Sequence, residues 1–228
     1  MLKTQSDFED ILRRDRRRVS QGTILKSEGD ESHLRYYVVE GWLTVFKSLE
    51  NGERQILEFV LPVESYDPTG ADGHTSFVQI EALGDATIVT IDKTKWARLL
   101  DNDPELRSSE RLRDIAQQAR QSERMLRLGK SSAETRIAYV LIELCMRLSG
   151  VGGNYDCAFH VPLCQQQLGD FIGLSSVHVC RTMRRLSRQG LITTSDHMDI
   201  AIHDVPALAS LAGVDPKALR DEIIPGAA

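Results

Sequence analysis

Gln165-Gln166-Gln167-Leu168-Gly169-Asp170-Phe171-Ile172-Gly173-Leu174-Ser175-Ser176-Val177-His178-Val179-Cys180-Arg181-Thr182-Met183-Arg184-Arg185-Leu186 reads as two short helices joined by a sharp turn. Leu168, Ile172, Leu174 and Val179 are spaced to fill a small core between those helices. Gly169 lacks a side chain where crossing helices come closest, and Gly173 permits the positive φ of the turn. Ser175 or Ser176 caps the second helix. These are the mechanical requirements of a helix-turn-helix, whose second helix lays its first turn in a DNA major groove.

The charge of that second helix points the same way. From Ser176 to Gly190 the chain holds Arg181, Arg184, Arg185 and Arg188 and no Asp or Glu, within a protein of formal net charge −5. Local charge, not the whole-chain sum, decides whether a short surface can meet nucleic acid. Ser176, Val177, Cys180 and Arg181 are expected at base edges, with Arg181 the strongest candidate because a guanidinium bonds guanine O6 and N7 together. Arg184, Arg185 and Arg188 lie further along and are expected on phosphates, which add affinity and salt dependence without sequence information.

Working outward, Leu191-Ile192-Thr193-Thr194, a polar turn at Ser195-Asp196-His197, and Met198-Asp199-Ile200-Ala201-Ile202 read as a two-stranded wing, followed by a final helix after Pro206. Upstream, Ser132 to Leu148 carries Ile137, Val140, Leu141, Leu144 and Leu148 at helical core spacing, ended by Gly150 through Gly153. A longer helix runs from Pro104, with Gly129 at its end. Its Leu112, Ile115, Ala119, Ser122 and Leu126 follow 3-4-3-4 spacing, which suits a coiled-coil dimer seam or, alternatively, packing against the chain's own barrel.

The N-terminal half has a different rhythm. A short amphipathic helix with Phe8, Ile11 and Leu12 on one face precedes the basic run Arg13 to Arg18, whose purpose the sequence does not reveal. From Gly22 to Ile91, short apolar runs such as Tyr36-Tyr37-Val38-Val39, Trp42-Leu43-Thr44-Val45-Phe46 and Ile56-Leu57-Glu58-Phe59-Val60 are strands, broken by turn signals at Gly29, Gly41, Asn51-Gly52 and Pro62 through Gly73. Close antiparallel spacing of this kind predicts a jelly-roll barrel. The expected class is α+β: a barrel over 1–103, a dimerisation helix over 104–128 and a winged helix-turn-helix domain over 129–228. No charged-then-apolar secretory leader opens the chain, which predicts a cytoplasmic protein without a membrane partner. Cys145, Cys157, Cys164 and Cys180 show no zinc spacing and are read as thiols, so neither metal nor cofactor is expected.

Together these segments make the chain resemble the Crp/Fnr superfamily of bacterial regulators over nearly its full length. Gly22-Thr23-Ile24-Leu25-Lys26-Ser27-Glu28-Gly29-Asp30 resembles the family's opening barrel strands, and Tyr36 through Val45 its next hairpin. Leu128-Gly129-Lys130-Ser131-Ser132-Ala133-Glu134-Thr135-Arg136-Ile137-Ala138 resembles the junction between dimer helix and DNA-binding domain, and Val161-Pro162-Leu163 the lead-in to the helix-turn-helix. The resemblance implies a cyclic-nucleotide-binding-like barrel and a homodimer on a two-fold symmetric promoter site, with contact to RNA polymerase. It is strongest to FixK-like and Fnr-like members lacking the N-terminal cysteine cluster. Two positions depart from the family: Val177 stands where a Glu is common, and Cys164 where Thr or Ser usually caps.

The family's cyclic-nucleotide sites use a Gly-Glu-Leu turn and a later arginine; this chain has Pro62-Val63-Glu64-Ser65-Tyr66-Asp67-Pro68 and no arginine from Leu61 to Trp96, so no cyclic-nucleotide binding is expected. Every cysteine falls at or after Cys145, which excludes the family's N-terminal iron-sulfur cluster. His33 and His74 are the only candidates for haem in the barrel half and are expected to be solvated. Cys180 is a candidate redox thiol, since FixK-like relatives include examples controlled by thiol oxidation near the DNA surface. No nucleophile with a base nearby and no phosphate loop is evident, so an enzyme is not expected. The competing reading is a barrel-type ligand or redox sensor whose C-terminal helices serve as a protein-docking module. The effector is not written in the sequence.

Overall fold

The computed structural model describes residues 3–149, 158–195 and 198–226, with side chains from Phe8 onward. Cys157, the Gly150–Gly153 helix end and the wing-turn residues Asp196 and His197 lie outside the described residues. Contacts divide the chain into two compact units, Met1–Glu110 and Arg111–Ala228.

The first unit begins with helix α1 (Lys3–Arg14) and strand β1 (Arg16–Val19). The strands β2 (Ile24–Lys26), β3 (Leu34–Glu40), β4 (Leu43–Ser48), β5 (Arg54–Val60), β6 (Ser65–Tyr66), β7 (Gln79–Ala82) and β8 (Ala86–Asp92) follow, then helix α2 (Lys93–Asn102). Two antiparallel four-stranded sheets, ordered β1-β8-β3-β6 and β2-β7-β4-β5, form the expected barrel. Alternation turns Tyr36, Val38, Leu43, Val45, Val60, Ile80 and Ile88 inward. Each such fully buried side chain contributes ~1.5–3 kcal/mol. Gly41 makes the β3–β4 turn possible: its φ is +76°, and a Cβ there would stand 2.5 Å from the Asp85 carbonyl oxygen.

Outside the barrel, α1 and α2 cover one sheet through Ile11, Tyr37, Val89, Ile91, Trp96 and Leu99, with Phe8 and Leu12 beside them. The Phe8 ring meets Tyr37 and Trp96 edge-on, each at 5.5 Å between centroids. The basic run is a point of correction. It divides into the last turn of α1 and strand β1, so the sheet begins at Arg16 and not after Gly22.

The loop from Pro62 to Ser76 is braced by the first residue of α2 and by its own side chains. Lys93 Nζ donates to Thr69 Oγ1 at 2.7 Å and to the Gly73 carbonyl at 2.8 Å, with Asp67 Oδ2 at 3.5 Å. The Thr75 hydroxyl and the backbone N–H groups of Thr75 and His74 hold the Asp72 carboxyl at about 2. His74 and His33 meet edge-to-face at 5.8 Å.

Helix α3 (Pro104–Lys130) is two residues longer than expected and runs through Gly129. Its first turns belong to the barrel unit, where Arg35 Nη2 pairs with Glu110 Oε2 at 3.2 Å. From Arg111 onward it belongs to the second unit, with α4 (Ala133–Ser149), β9 (Ala158–His160), α5 (Gln165–Ile172), α6 (Ser176–Arg188), β10 (Ile192–Thr194), β11 (Asp199–Ile202), α7 (Val205–Ala212) and α8 (Pro216–Ile223). Two expectations need correcting here. The wing is a three-stranded sheet, ordered β10-β11-β9, because β9 pairs with β11 at Phe159↔Ile200. The final helix is two, since Gly213 ends α7 with φ +68° and Asp215 caps α8 at Ala218 N.

Helix α4 is the axis of this unit, buried continuously from Ile137 to Met146. Around it α3 buries three arginines where polar residues are expected on a solvated face. Arg124 Nη1 reaches Glu143 Oε1 at 2.8 Å and lies over the Phe171 ring at 4.7 Å. Arg127 stacks on Tyr139 at 3.9 Å, and Arg120 donates to the Ile223 carbonyl at 3.2 Å. Burial, reinforced by the nearby Glu143 charge, pushes the Tyr139 phenol well above the ordinary tyrosine range. The apolar seam of α3 faces the other way: Leu112, Ile115 and Leu126 are 44%, 51% and 56% exposed, Ser122 is exposed and Ala119 half-buried.

Candidate nucleic-acid interface

The turn between α5 and α6 is held by sterics and by one cation. A Cβ on Gly169 would meet the Leu174 carbonyl oxygen at 2.3 Å, so the close approach is to the turn itself and not, as expected, to the facing helix. Gly173 is left-handed at φ +66°, and the Leu174 N–H donates to the Gly169 carbonyl at 3.0 Å. Arg136 of α4 donates from Nη1 to the carbonyls of Ile172 at 3.3 Å and Gly173 at 3.4 Å, satisfying the orphaned C-terminal end of α5. Sequence reading missed Arg136. Its signal is a basic residue in the first turn of a helix that is apolar through most of its middle.

At the start of α5 the Cys164 backbone N–H donates to Gln167 Oε1 at 2.8 Å, which closes a capping arrangement without a hydroxyl. At the start of α6 the cap is Ser175, whose Oγ accepts from His178 N at 3.3 Å.

Helix α6 has two faces. Val179, Thr182, Met183 and Leu186 are buried. At ~100° per residue, Val177, Arg181, Arg184 and Arg188 fall within an arc of about 60° on the opposite side. All four are exposed, and Cys180 lies partly buried at the border, as does Ser176. Of the residues expected at base edges and on phosphates, Val177, Arg181, Arg184 and Arg188 therefore share one surface, while Ser176 and Cys180 stand at its edge. Arg185 is turned to the flank, where Nη1 stands 3.1 Å from Glu134 Oε1 of α4. Glu134 was not singled out from sequence, since a charge in a first helical turn reads as solvated.

The wing is tied at its tip by polar side chains. His160 Nδ1 and Asp199 Oδ1 are 2.9 Å apart, and Ser195 Oγ donates to Asp199 Oδ2 at 2.8 Å. Met198 takes φ +60° and buries its side chain beneath the hairpin. Cys145 is buried, Cys164 exposed, and neither pairs with another cysteine. Among the described residues no helix is long and apolar enough to cross a membrane.

Comparison with known proteins agrees with this geometry. Residues 135–211 match the Crp-like helix-turn-helix domain, and residues 16–103 the cyclic nucleotide-binding domain. The transcriptional activator protein FnrA of Stutzerimonas stutzeri is 30% identical over 93% of this chain and 86% of its own. The nitrogen fixation regulation protein FixK of Bradyrhizobium diazoefficiens is 29% identical over 90% of this chain and 84% of its own. The structure of FixK2 from Bradyrhizobium japonicum superposes with a TM-score of 0.74 at 22% identity, covering 86% of this chain and 96% of that one, which speaks for the fold. A barrel of the cyclic-nucleotide-binding kind, a long helix with an exposed apolar seam and an arginine-faced winged helix-turn-helix occur here in one polypeptide, and the chain belongs to the Crp/Fnr superfamily of DNA-binding transcription regulators.

Proposed function

We propose that two copies of the chain pair through Leu112, Ile115, Ala119 and Leu126 of α3 and set the first turns of their α6 helices in successive major grooves of a two-fold symmetric promoter site. The observation that carries this is the division of α6 into a buried face and an exposed face bearing Val177, Arg181, Arg184 and Arg188. Ser176, Val177, Cys180 and Arg181 read bases. Arg181 supplies the bidentate contact, worth ~1–3 kcal/mol of discrimination, and Val177 packs on a thymine methyl where a glutamate would accept from cytosine. Arg184 and Arg188 hold phosphates, and Arg185 joins them when it leaves Glu134. The half-sites lie one helical turn apart, ~34–36 Å.

The protein acts in the cytoplasm as a regulator and not as an enzyme, and it contacts RNA polymerase as an activator; the support is that relatives such as FnrA are named transcriptional activators. Cys180 borders the base-reading face, where oxidation would set bulk and negative charge against phosphates. Selection of genomic DNA fragments by purified protein, repeated with Arg181→Ala at fixed salt, tests the reading. Enrichment of a two-fold symmetric site that the variant loses is expected; enrichment unaffected by the substitution would refute it.

A further inference from the structure

Arg13, Arg14, Arg16, Arg17 and Arg18 are all exposed, and neither the barrel core nor the α6 face uses them. Their charge is out of keeping with its surroundings. Residues 1–110 hold 14 Lys and Arg against 21 Asp and Glu, and five of those cations fall within six positions.

Local structure accounts for part of this. Arg13 and Arg14 close α1, where a helix C-terminus favours cations, and Arg16 Nε donates to the Leu12 carbonyl at 2.7 Å. Charge also suits β1 as the edge strand of its sheet, because it discourages strand-to-strand association. Neither purpose calls for five guanidiniums. Nor are they neutralised: Arg13 stands 3.7 Å from Glu9 with both side chains exposed, and Asp15 is turned to Lys95 at 3.8 Å. Among the described residues, Arg14, Arg17 and Arg18 make no ion pair.

The strand sets the spacing. β1 pairs with β8 in unbroken register from Arg16↔Val89 to Val19↔Ala86, and Val19 is buried in the barrel. Alternation then puts Arg17 on the face of Val19, at the rim, and Arg16 with Arg18 on the outer face. At ~3.3 Å per residue those two are about 6.6 Å apart, a spacing that lets them reach neighbouring phosphates on one DNA strand, whose charges follow every ~3.4 Å along the helix axis. A guanidinium fork also matches a phosphate bidentately, which a lysine does not.

We infer that β1 and the end of α1 form a second DNA-backbone surface, which holds phosphates that the α6 helices do not contact. The inference rests on α6 as the base-reading helix. It is tested with full-length protein and the site enriched by fragment selection, as a duplex ending at the half-site borders and as one extended on both sides, over a salt series. Wild type should bind the extended duplex roughly tenfold or more tightly, with a steeper salt dependence. R16Q/R17Q/R18Q should match wild type on the short duplex and lose the gain on the long one, its log K against log salt slope falling by ~0.9 per lost phosphate, roughly 3–5 for a dimer. R16K/R17K/R18K should keep the salt slope, which follows charge, and lose the part of the gain that bidentate contacts supply. Equal length dependence in the Gln variant and wild type, or none in wild type, overturns the inference and points to an acidic protein surface as the partner. Failure of wild type on both duplexes overturns the α6 reading and this one together, whereas R181A failing on both lengths supports α6 alone as the specific reader.

Discussion

Replacing Arg124 by methionine should destabilise the DNA-binding unit by about 3–4 kcal/mol. The side chain is 7% exposed and its partner Glu143 0%, so water screens neither charge. Removing one member of a buried pair costs ~3–5 kcal/mol, chiefly because the other charge is left uncompensated. Here Arg147 Nη1 stays 3.2 Å from the same Glu143 oxygen, which places the loss at the low end of that range. Loss of the guanidinium from the Phe171 face adds ~0.5–2 kcal/mol, and methionine returns part of it by refilling the space. For a unit of this size each kcal/mol lowers Tm by ~3–6 °C, so a fall of roughly 10–20 °C is expected. The assay exploits the placement of the two tryptophans, Trp42 and Trp96, both in Met1–Glu110. Far-ultraviolet circular dichroism should show the helical unit melting early, while tryptophan fluorescence reports an unshifted barrel transition. A cycle with Glu143→Gln should give a coupling energy above ~1 kcal/mol. A cost below ~1 kcal/mol for Arg124→Met, or independence of the two substitutions, would refute the assignment of a stabilising buried pair.

Glu134→Gln frees Arg185 and removes a negative charge near the backbone; because an exposed pair is worth ~0–1 kcal/mol, operator affinity should rise two- to fivefold in gel-shift titrations, and a fall would contradict the role given to Arg185. Gly169→Ala drives a Cβ against the Leu174 carbonyl oxygen, so it should cost ~1–3 kcal/mol by urea unfolding and displace α6 enough to abolish specific binding. Gly173→Ala meets side-chain ends, Leu128 Cδ2 at 2.9 Å and Arg136 Nη1 at 3.6 Å, and no backbone, so it should cost ~1–2 kcal/mol through its φ, with DNA affinity far less affected. Ile115→Asp with Leu126→Asp should give monomers by sedimentation at micromolar concentration without lowering the melting temperature, since both side chains are exposed in the single chain; a retained dimer would place the seam elsewhere.

The helix-turn-helix was legible because its constraints are local. Gly169, Gly173, Ser175 and the buried Leu168, Ile172 and Val179 each answer to a neighbour within a few residues. The barrel was legible in its apolar runs and turns, but β1 was not, because a strand of arginines lacks alternation and owes its place to pairing with β8. β9 was hidden for a similar reason: Ala158–His160 is short and finds its partner, β11, some forty residues on. The break between α7 and α8 was readable, in Gly213 followed by Asp215-Pro216, and was overlooked. The buried arginines of α3 were the hardest to foresee. A charged residue on a helix reads as solvated unless the opposing helix is known, although Glu143 among the apolar residues of α4 marks where a cation must come.

Those arginines also decide what kind of machine the second unit can be. Arg120, Arg124 and Arg127 bolt the C-terminal half of α3 to α4, α5 and the C-terminal helices, so the stalk and the reading head move as one piece. A hinge between stalk and head would have to tear buried charges from their partners. A signal reaching the proposed dimer has a cheaper course, which is to alter how the two stalks cross. In that proposal the separation of the two α6 helices, and with it the half-site spacing, would be governed by a few exposed side chains on one helical stripe.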